Sequence, residues 1–153
     1  WSAYDVETPG GVLVAYASIH GNTRKAAEKM AEMLEAKGAT KVAVADLSRD
    51  DMAEVIEDAF RMGSVVLACA TYDGDIFPPM HFFLHKLKIK GYQRRRIGII
   101  ENGTWAPQAA RIIRGMLEGM KDIEIVEPVV TLKSSMKASD LAQLEALADA
   151  IVK

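Results

Sequence analysis

One cysteine, Cys69, stands among 153 residues, so no internal disulfide can staple the fold and a reducing cytoplasm is the expected compartment. The longest unbroken apolar runs, Val12 to Ala17 and Val65 to Ala70, fall far short of the ~20 residues a membrane-spanning helix requires. No basic-then-apolar leader of the secretory kind is visible. Charge of one sign is also lacking: 19 Lys and Arg face 21 Asp and Glu, a net charge of −2 with a pI near 5.9. Such a balance supplies no basic field for nucleic acid. What is there is half hydrophobic and 26% charged, the make-up of an ordinary globular domain. Low complexity and internal repeats are absent, and the length suits one domain.

The chain opens Trp1-Ser2-Ala3-Tyr4 without a methionine. A fragment of a longer protein is the expected explanation, with a processed start as the alternative. Residues 1–10 read as a lead-in, since Pro9-Gly10-Gly11 is turn chemistry, and residues 11–153 as the domain.

From there short β-branched runs alternate with amphipathic segments, the pattern of βαβ units around a parallel sheet. Val12 to Tyr16 is apolar throughout, as a strand covered on both faces should be. A helix follows from about Asn22 to Lys37, ended by Gly38. Lys41 to Asp46 forms strand two; Ser48 is the expected cap of a helix that runs to Met62 and is stopped by Gly63. Ser64 to Ala70 is strand three, and Pro78-Pro79 opens a helix to about Lys88. Arg96 to Ile100 is strand four, Pro107 to Met120 a helix, and Ile123 to Leu132 strand five, with Pro128 marking an edge or bulge. Leu141, Leu144, Leu147 and Ile151 stripe a closing helix. The expected fold class is α/β, a three-layer sandwich on a five-stranded parallel sheet of order 2-1-3-4-5.

Such a sheet gathers its chemistry in the loops beyond strands one, three and four. The first, Ser18-Ile19-His20-Gly21-Asn22-Thr23, offers two hydroxyls, a permissive glycine and the free amides of a helix start, a pocket for a phosphate. It lacks the lysine of G-x-x-x-x-G-K-[ST], and no G-x-G-x-x-G follows strand one, so neither a nucleoside triphosphate nor a dinucleotide is indicated. The second runs from Thr71 through Tyr72, Asp73 and Gly74 to Pro79; Tyr72 suits the face of a flat heterocycle, and Gly74 a peptide that reorients beneath a ring nitrogen. The third, Glu101 to Pro107, puts Asn102, Gly103, Thr104, Trp105 and Ala106 at a strand end. Core packing is the competing reading for Tyr72, Ile76, Phe77 and Trp105.

The Ser18 to Thr23 segment resembles the phosphate loop of the flavodoxin family, and the likeness covers nearly all of residues 11–153. Within that family the chain is most similar to the carboxyl-terminal flavodoxin-like domain of A-type flavoproteins, the flavodiiron proteins. The Trp1-bearing lead-in, the Asp75-Ile76-Phe77-Pro78 ending of the second loop, and Trp105 followed by Ala109-Ala110-Arg111-Ile112 carry that likeness. The resemblance implies flavin mononucleotide (FMN) as cofactor: Ser18, Ile19, His20, Gly21, Asn22 and Thr23 would hold the phosphate. Thr71, Tyr72, Asp73 and Gly74, with Asn102, Gly103, Thr104, Trp105 and Ala106, would flank the ring. Asp73, Asp75 or Glu101 near the ring would disfavour an anionic reduced flavin. The chain departs from the family at Gly103-Thr104, where many members carry a tyrosine and a glycine. By resemblance the domain would pass electrons from a rubredoxin-like donor to a diiron centre in an upstream metallo-β-lactamase-like domain that reduces oxygen or nitric oxide, in a parent that could dimerise. No H-x-[HE]-x-D cluster lies in this chain to hold that iron.

No side chain reads as a general acid, base or nucleophile, so no catalytic residue is expected. His81 and His85 are four apart, but Phe82-Phe83-Leu84 between them lacks the glutamate of a hydrolytic zinc site, and no metal is expected. Arg94-Arg95-Arg96, with Lys86, Lys88 and Lys90, is a local basic patch, read as a solvated helix end and turn or as a docking surface for an acidic donor. Two other classes stay open: a free-standing flavodoxin or FMN-dependent quinone reductase, and a flavin-free interaction domain of the same fold. A receiver domain is disfavoured, because strand one lacks a terminal acidic cluster.

Overall fold

A computed structural model describes residues 8–17, 21–39, 41–47, 49–72, 75–76, 78–92, 95–102, 109–118, 120, 123–126, 129–132 and 138–152. Seven strands and five helices alternate along them: β1 (Thr8–Ala17), α1 (Gly21–Ala36), β2 (Lys41–Asp46), α2 (Met52–Arg61), β3 (Met62–Tyr72), β4 (Asp75–Ile76), α3 (Pro78–Ile89), β5 (Arg95–Asn102), α4 (Ala109–Leu117), β6 (Ile123–Ile125), β7 (Val130–Leu132) and α5 (Ala138–Val152). The sheet runs β2-β1-β3-β5-β6, with β7 also on β5 and β4 antiparallel to β3. Without the two-residue β4, this is the expected parallel order.

Alternation along the central strands builds two cores. Leu13, Ala15, Ala17, Val65, Leu67, Cys69, Ile97 and Ile99 face one side, where α2, α3 and α4 cover them with Phe60, Phe83, Leu84 and Ile113. Val12, Val14, Tyr16, Val66, Ala68 and Ile100 face the other, under Met30 and Leu34 of α1 and Leu144, Leu147 and Ile151 of α5. A sheet covered on both faces needs apolar residues at every central position, hence the unbroken runs in β1 and β3. Gly98 lets α5 come close: a Cβ there would stand 3.2 Å from Leu147 Cδ1 and 3.3 Å from Ile151 Cδ1.

Gly38 ends α1 at φ 95°, with Ala39 N–H donating back to the Leu34 carbonyl. Gly91 closes α3 the same way at φ 78°, with Tyr92 N–H on the Leu87 carbonyl. This left-handed backbone is one glycine adopts without a Cβ penalty.

Four local expectations change. Ser48 lies outside the described residues, and α2 is capped by Asp51, whose carboxylate accepts from Ala53 N–H at 3.1 Å. Asp51 wins because it sits directly against the first turn, where its oxygen reaches an orphan amide. Gly63 does not stop the helix; α2 ends at Arg61 and the chain passes at once into β3. Strand five is two strands. Ile125 pairs with Ile97 and Val130 with Ile100, so five residues match three, and Pro128, which falls between them, lies outside the described residues. β1 begins at Thr8, inside the stretch read as lead-in, and its register on β3 shifts between Thr8 and Val12.

The basic patch also resolves differently. Arg95 is buried at 2% exposure, its Nη2 donating to the Phe60 carbonyl at 2.7 Å and its Nε to the Met62 carbonyl at 3.0 Å. Arg96, the next residue, donates across the opposite face to the Ala150 and Ile151 carbonyls of α5. The strand's two-residue period sends neighbouring arginines to opposite layers, and each meets the carbonyls at a helix C-terminus, where cations are favoured. Arg94 lies outside the described residues.

Candidate functional site

The register places three strand ends level. Ala17 of β1 pairs with Cys69 of β3, and Cys69 with Glu101 of β5; Thr131 of β7 pairs with Glu101 in turn. All three loops singled out by the sequence leave from this one line. Gly21, Asn22 and Thr23 form the first turn of α1 four residues beyond Ala17. Thr71 and Tyr72 extend β3 past the line and pair with Ile76 and Asp75 as a hairpin, with Asp73 and Gly74 between them outside the described residues. Asn102 is the last residue of β5, paired with Ala70. Ser18, Ile19, His20, Gly103, Thr104, Trp105 and Ala106 lie outside the described residues, as does Phe77.

The start of α1 has the chemistry of an anion site. Its first-turn amides lack intrahelical partners by construction, and the helix dipole places partial positive charge there. No acidic residue stands in that turn to compete with an anion. Thr23 is buried at 1% exposure, an unusual place for a hydroxyl unless it is hydrogen-bonded. This donor set of amides and a hydroxyl, with no acidic residue in the helix's own first turn, fits the phosphate of FMN.

Beside it the edge is acidic. Glu101 is buried at 8% exposure and accepts from the Thr131 hydroxyl at 2.9 Å. Glu101 stands out in the sequence at a strand end, whereas Thr131 shows only a hydroxyl in a short strand. On the α1 face, Tyr16 lies opposite Asp46 in the register. Burial, helped by the Asp46 charge, pushes the Tyr16 phenol above its usual range.

Other candidates fall away from this edge. His81 and His85 are exposed on α3, and among the described residues no three His, Cys, Asp or Glu side chains gather as a metal-holding group. Phe83 and Leu84 face the core while Phe82 is 48% exposed, so of the apolar residues between the histidines one does not face the sheet. Cys69 is buried. Among the described residues no helix is long and apolar enough to cross a membrane.

A family model described as flavodoxin matches residues 14–146. Among solved structures, the chain is similar to rubredoxin oxygen:oxidoreductase from Desulfovibrio gigas, with TM-score 0.89 and 21% identity over 95% of this chain. It is also similar to a flavodoxin from the domain Archaea (TM-score 0.79, 21% identity, 93% of this chain and 96% of that one). A third is the flavodiiron protein from Giardia intestinalis, with TM-score 0.80 and 18% identity over 94% of this chain. The chain spans 36% of the length of the Desulfovibrio and Giardia proteins. No curated protein sequence matches it.

Proposed function

The chain belongs to the flavodoxin family and is an FMN-binding domain, and from that premise we propose that it carries electrons to a diiron centre in a neighbouring domain. The observation that carries this reading is the level line Ala17, Cys69 and Glu101, which opens the three loops together beside an acid-free helix start. Bound FMN supplies the one- and two-electron redox chemistry that no side chain offers. Ser18 to Thr23 hold the phosphate, with Thr23 fixed by burial. Thr71 to Gly74 and Asn102 to Ala106 would flank the ring. The Glu101 carboxylate disfavours added negative charge at this edge and so lowers the reduction potential.

The donor is a rubredoxin-type protein, and the acceptor a metallo-β-lactamase-like diiron domain that reduces oxygen or nitric oxide, within a parent that dimerises in the cytoplasm. Support comes from what the Desulfovibrio protein is, a rubredoxin oxygen:oxidoreductase, and from the 36% share of it that this chain spans. A second reading, a free-standing flavodoxin, is favoured by the 96% coverage of the archaeal flavodoxin.

A visible spectrum tests the premise. The purified chain should bind FMN saturably and show flavin bands near ~450 and ~370 nm that survive desalting; no saturable binding overturns the reading. Rapid mixing with reduced rubredoxin should then bleach the flavin. Steady-state NAD(P)H oxidation by the isolated chain would instead favour a quinone-reductase-like enzyme.

A further inference from the structure

Away from the strand ends, α2 and α3 enclose a groove of about 720 Å³ lined by Met52, Ala53, Ile56, Glu57, Phe60, Arg61, Phe82, Lys86 and Lys90. Helical spacing sorts these residues. Met52, Ile56 and Phe60 recur every four positions along α2 and form an apolar floor; Phe82 and Lys86 on α3, with Lys90 one residue past its end, keep the same spacing and form one wall. The opposite wall carries Glu57 and Arg61, which lie 3.9 Å apart, and Arg61 also meets Asp58 at 3.2 Å.

The two lysines differ from the other charges. Lys86 Nζ stands 5.4 Å from the centre of the Phe82 ring, and neither Lys86 nor Lys90 has a carboxylate partner among the described residues. In a chain of net charge −2, this wall is therefore a local excess of positive charge above an apolar floor. Phe82, at 48% exposure, is one of only three large hydrophobic side chains exposed among the described residues. Cation–π contact with Lys86 holds the ring at the rim, where a partner can cover both.

We propose that this groove docks an acidic amphipathic helix of a protein partner. A floor one helix long, about 15 Å for the ten residues of α2, matches an apolar stripe of three turns on an incoming helix. Carboxylates flanking that stripe would meet Lys86 and Lys90. Two packed helices already supply the ridges between which a third settles. The groove lies between two helices on one face of the sheet, so the proposal does not rest on the FMN reading.

The test is fluorescence anisotropy of a labelled helical peptide of about 15 residues, leucines at i, i+4 and i+7 flanked by glutamates, titrated with the FMN-loaded chain. Saturable binding is expected, weakening as salt rises. It should fall at least tenfold in Lys86→Glu/Lys90→Glu and in Phe82→Gln, and be unchanged in Lys25→Glu, on the opposite layer. Circular dichroism and FMN retention equal to the unsubstituted chain show that each variant folds. The proposal is overturned by absence of saturable binding, by equal binding of a peptide with lysine in place of glutamate, or by binding that survives the double substitution. Binding of anionic vesicles that the peptide fails to displace would also overturn it, in favour of a membrane surface. Failure of FMN binding with the peptide still bound would strike the functional reading alone.

Discussion

Arg95 Nη2 donates a 2.7 Å hydrogen bond to the carbonyl of Phe60, tying the first residue of β5 to the last turn of α2. The same guanidinium reaches the Met62 carbonyl and stands 5.1 Å from the centre of the Tyr92 ring, which packs edge-on against Phe60. Burial pushes the Arg95 pKa down, partly opposed by the neighbouring phenol. Replacing Arg95 with Leu leaves two carbonyls of this junction without their charged donor. The cost expected is about 3 kcal/mol, a drop in Tm of roughly 6–12 °C; Arg95→Lys should recover only part, because an ammonium lacks the planar fork. Urea unfolding of both variants measures this, and equal stability of the Leu variant would contradict it.

Tyr92 makes the same junction sensitive to alkali. Its hydroxyl donates to the Ala59 carbonyl at 3.1 Å, and complete burial raises its pKa well above the usual phenol range. A folded-state value above the unfolded one means that the native state holds its proton longer. Stability is thus fully present below an unfolded pKa of about 10 and declines as pH climbs from there toward the folded value. Tyr92→Phe should lose about 1 kcal/mol at neutral pH yet flatten the decline above pH ~10. Chemical denaturation at pH 7 and across the alkaline range distinguishes the two effects.

Asp51 is the start signal of α2. Alanine there removes the acceptor for Ala53 N–H and should cost about 1 kcal/mol, while asparagine should keep most of it. A denaturation midpoint unmoved by Asp51→Ala would show that the cap contributes nothing.

Gly98 sets the distance between the sheet and α5. A valine adds branches beyond a Cβ that already stands 3.2 Å from Leu147 Cδ1, and should cost about 2 kcal/mol through overpacking. Alanine should cost less, since both contacts are the free ends of flexible side chains. The order of the two variants in thermal melts is the check.

Thr23→Val keeps the shape of the buried side chain and removes its hydroxyl. If Thr23 serves the phosphate, FMN affinity falls about tenfold, or 1.4 kcal/mol, whereas riboflavin, which carries no phosphate, binds both proteins alike. Equal losses for the two ligands would assign Thr23 to the scaffold instead.

Much of this fold is legible in the chain. Strand two is read to its exact ends, since Lys41 to Asp46 lies between a glycine-terminated helix and polar residues. Apolar saturation of Val12 to Tyr16 and Val65 to Ala70 announces a sheet covered on both faces. Boundaries fail where two signals compete: Gly63 looks like a helix stop but serves as a strand residue, because β3 draws Met62 and Ser64 into register with β1. The arginine run is misleading for a related reason, since three adjacent charges look solvated until the pleat sends Arg95 and Arg96 into different layers.

The sequence by itself determined the α/β alternation and singled out three loops at strand ends, because periodicity and turn residues act over a few positions; the strand order was expected only as the commonest arrangement at this size. The tertiary structure alone decided that Ala17, Cys69 and Glu101 end on one line, that Thr131 reaches Glu101, and that Lys86 and Lys90 border a groove. Those relations join residues far apart in the chain, and only register and helix packing bring them together.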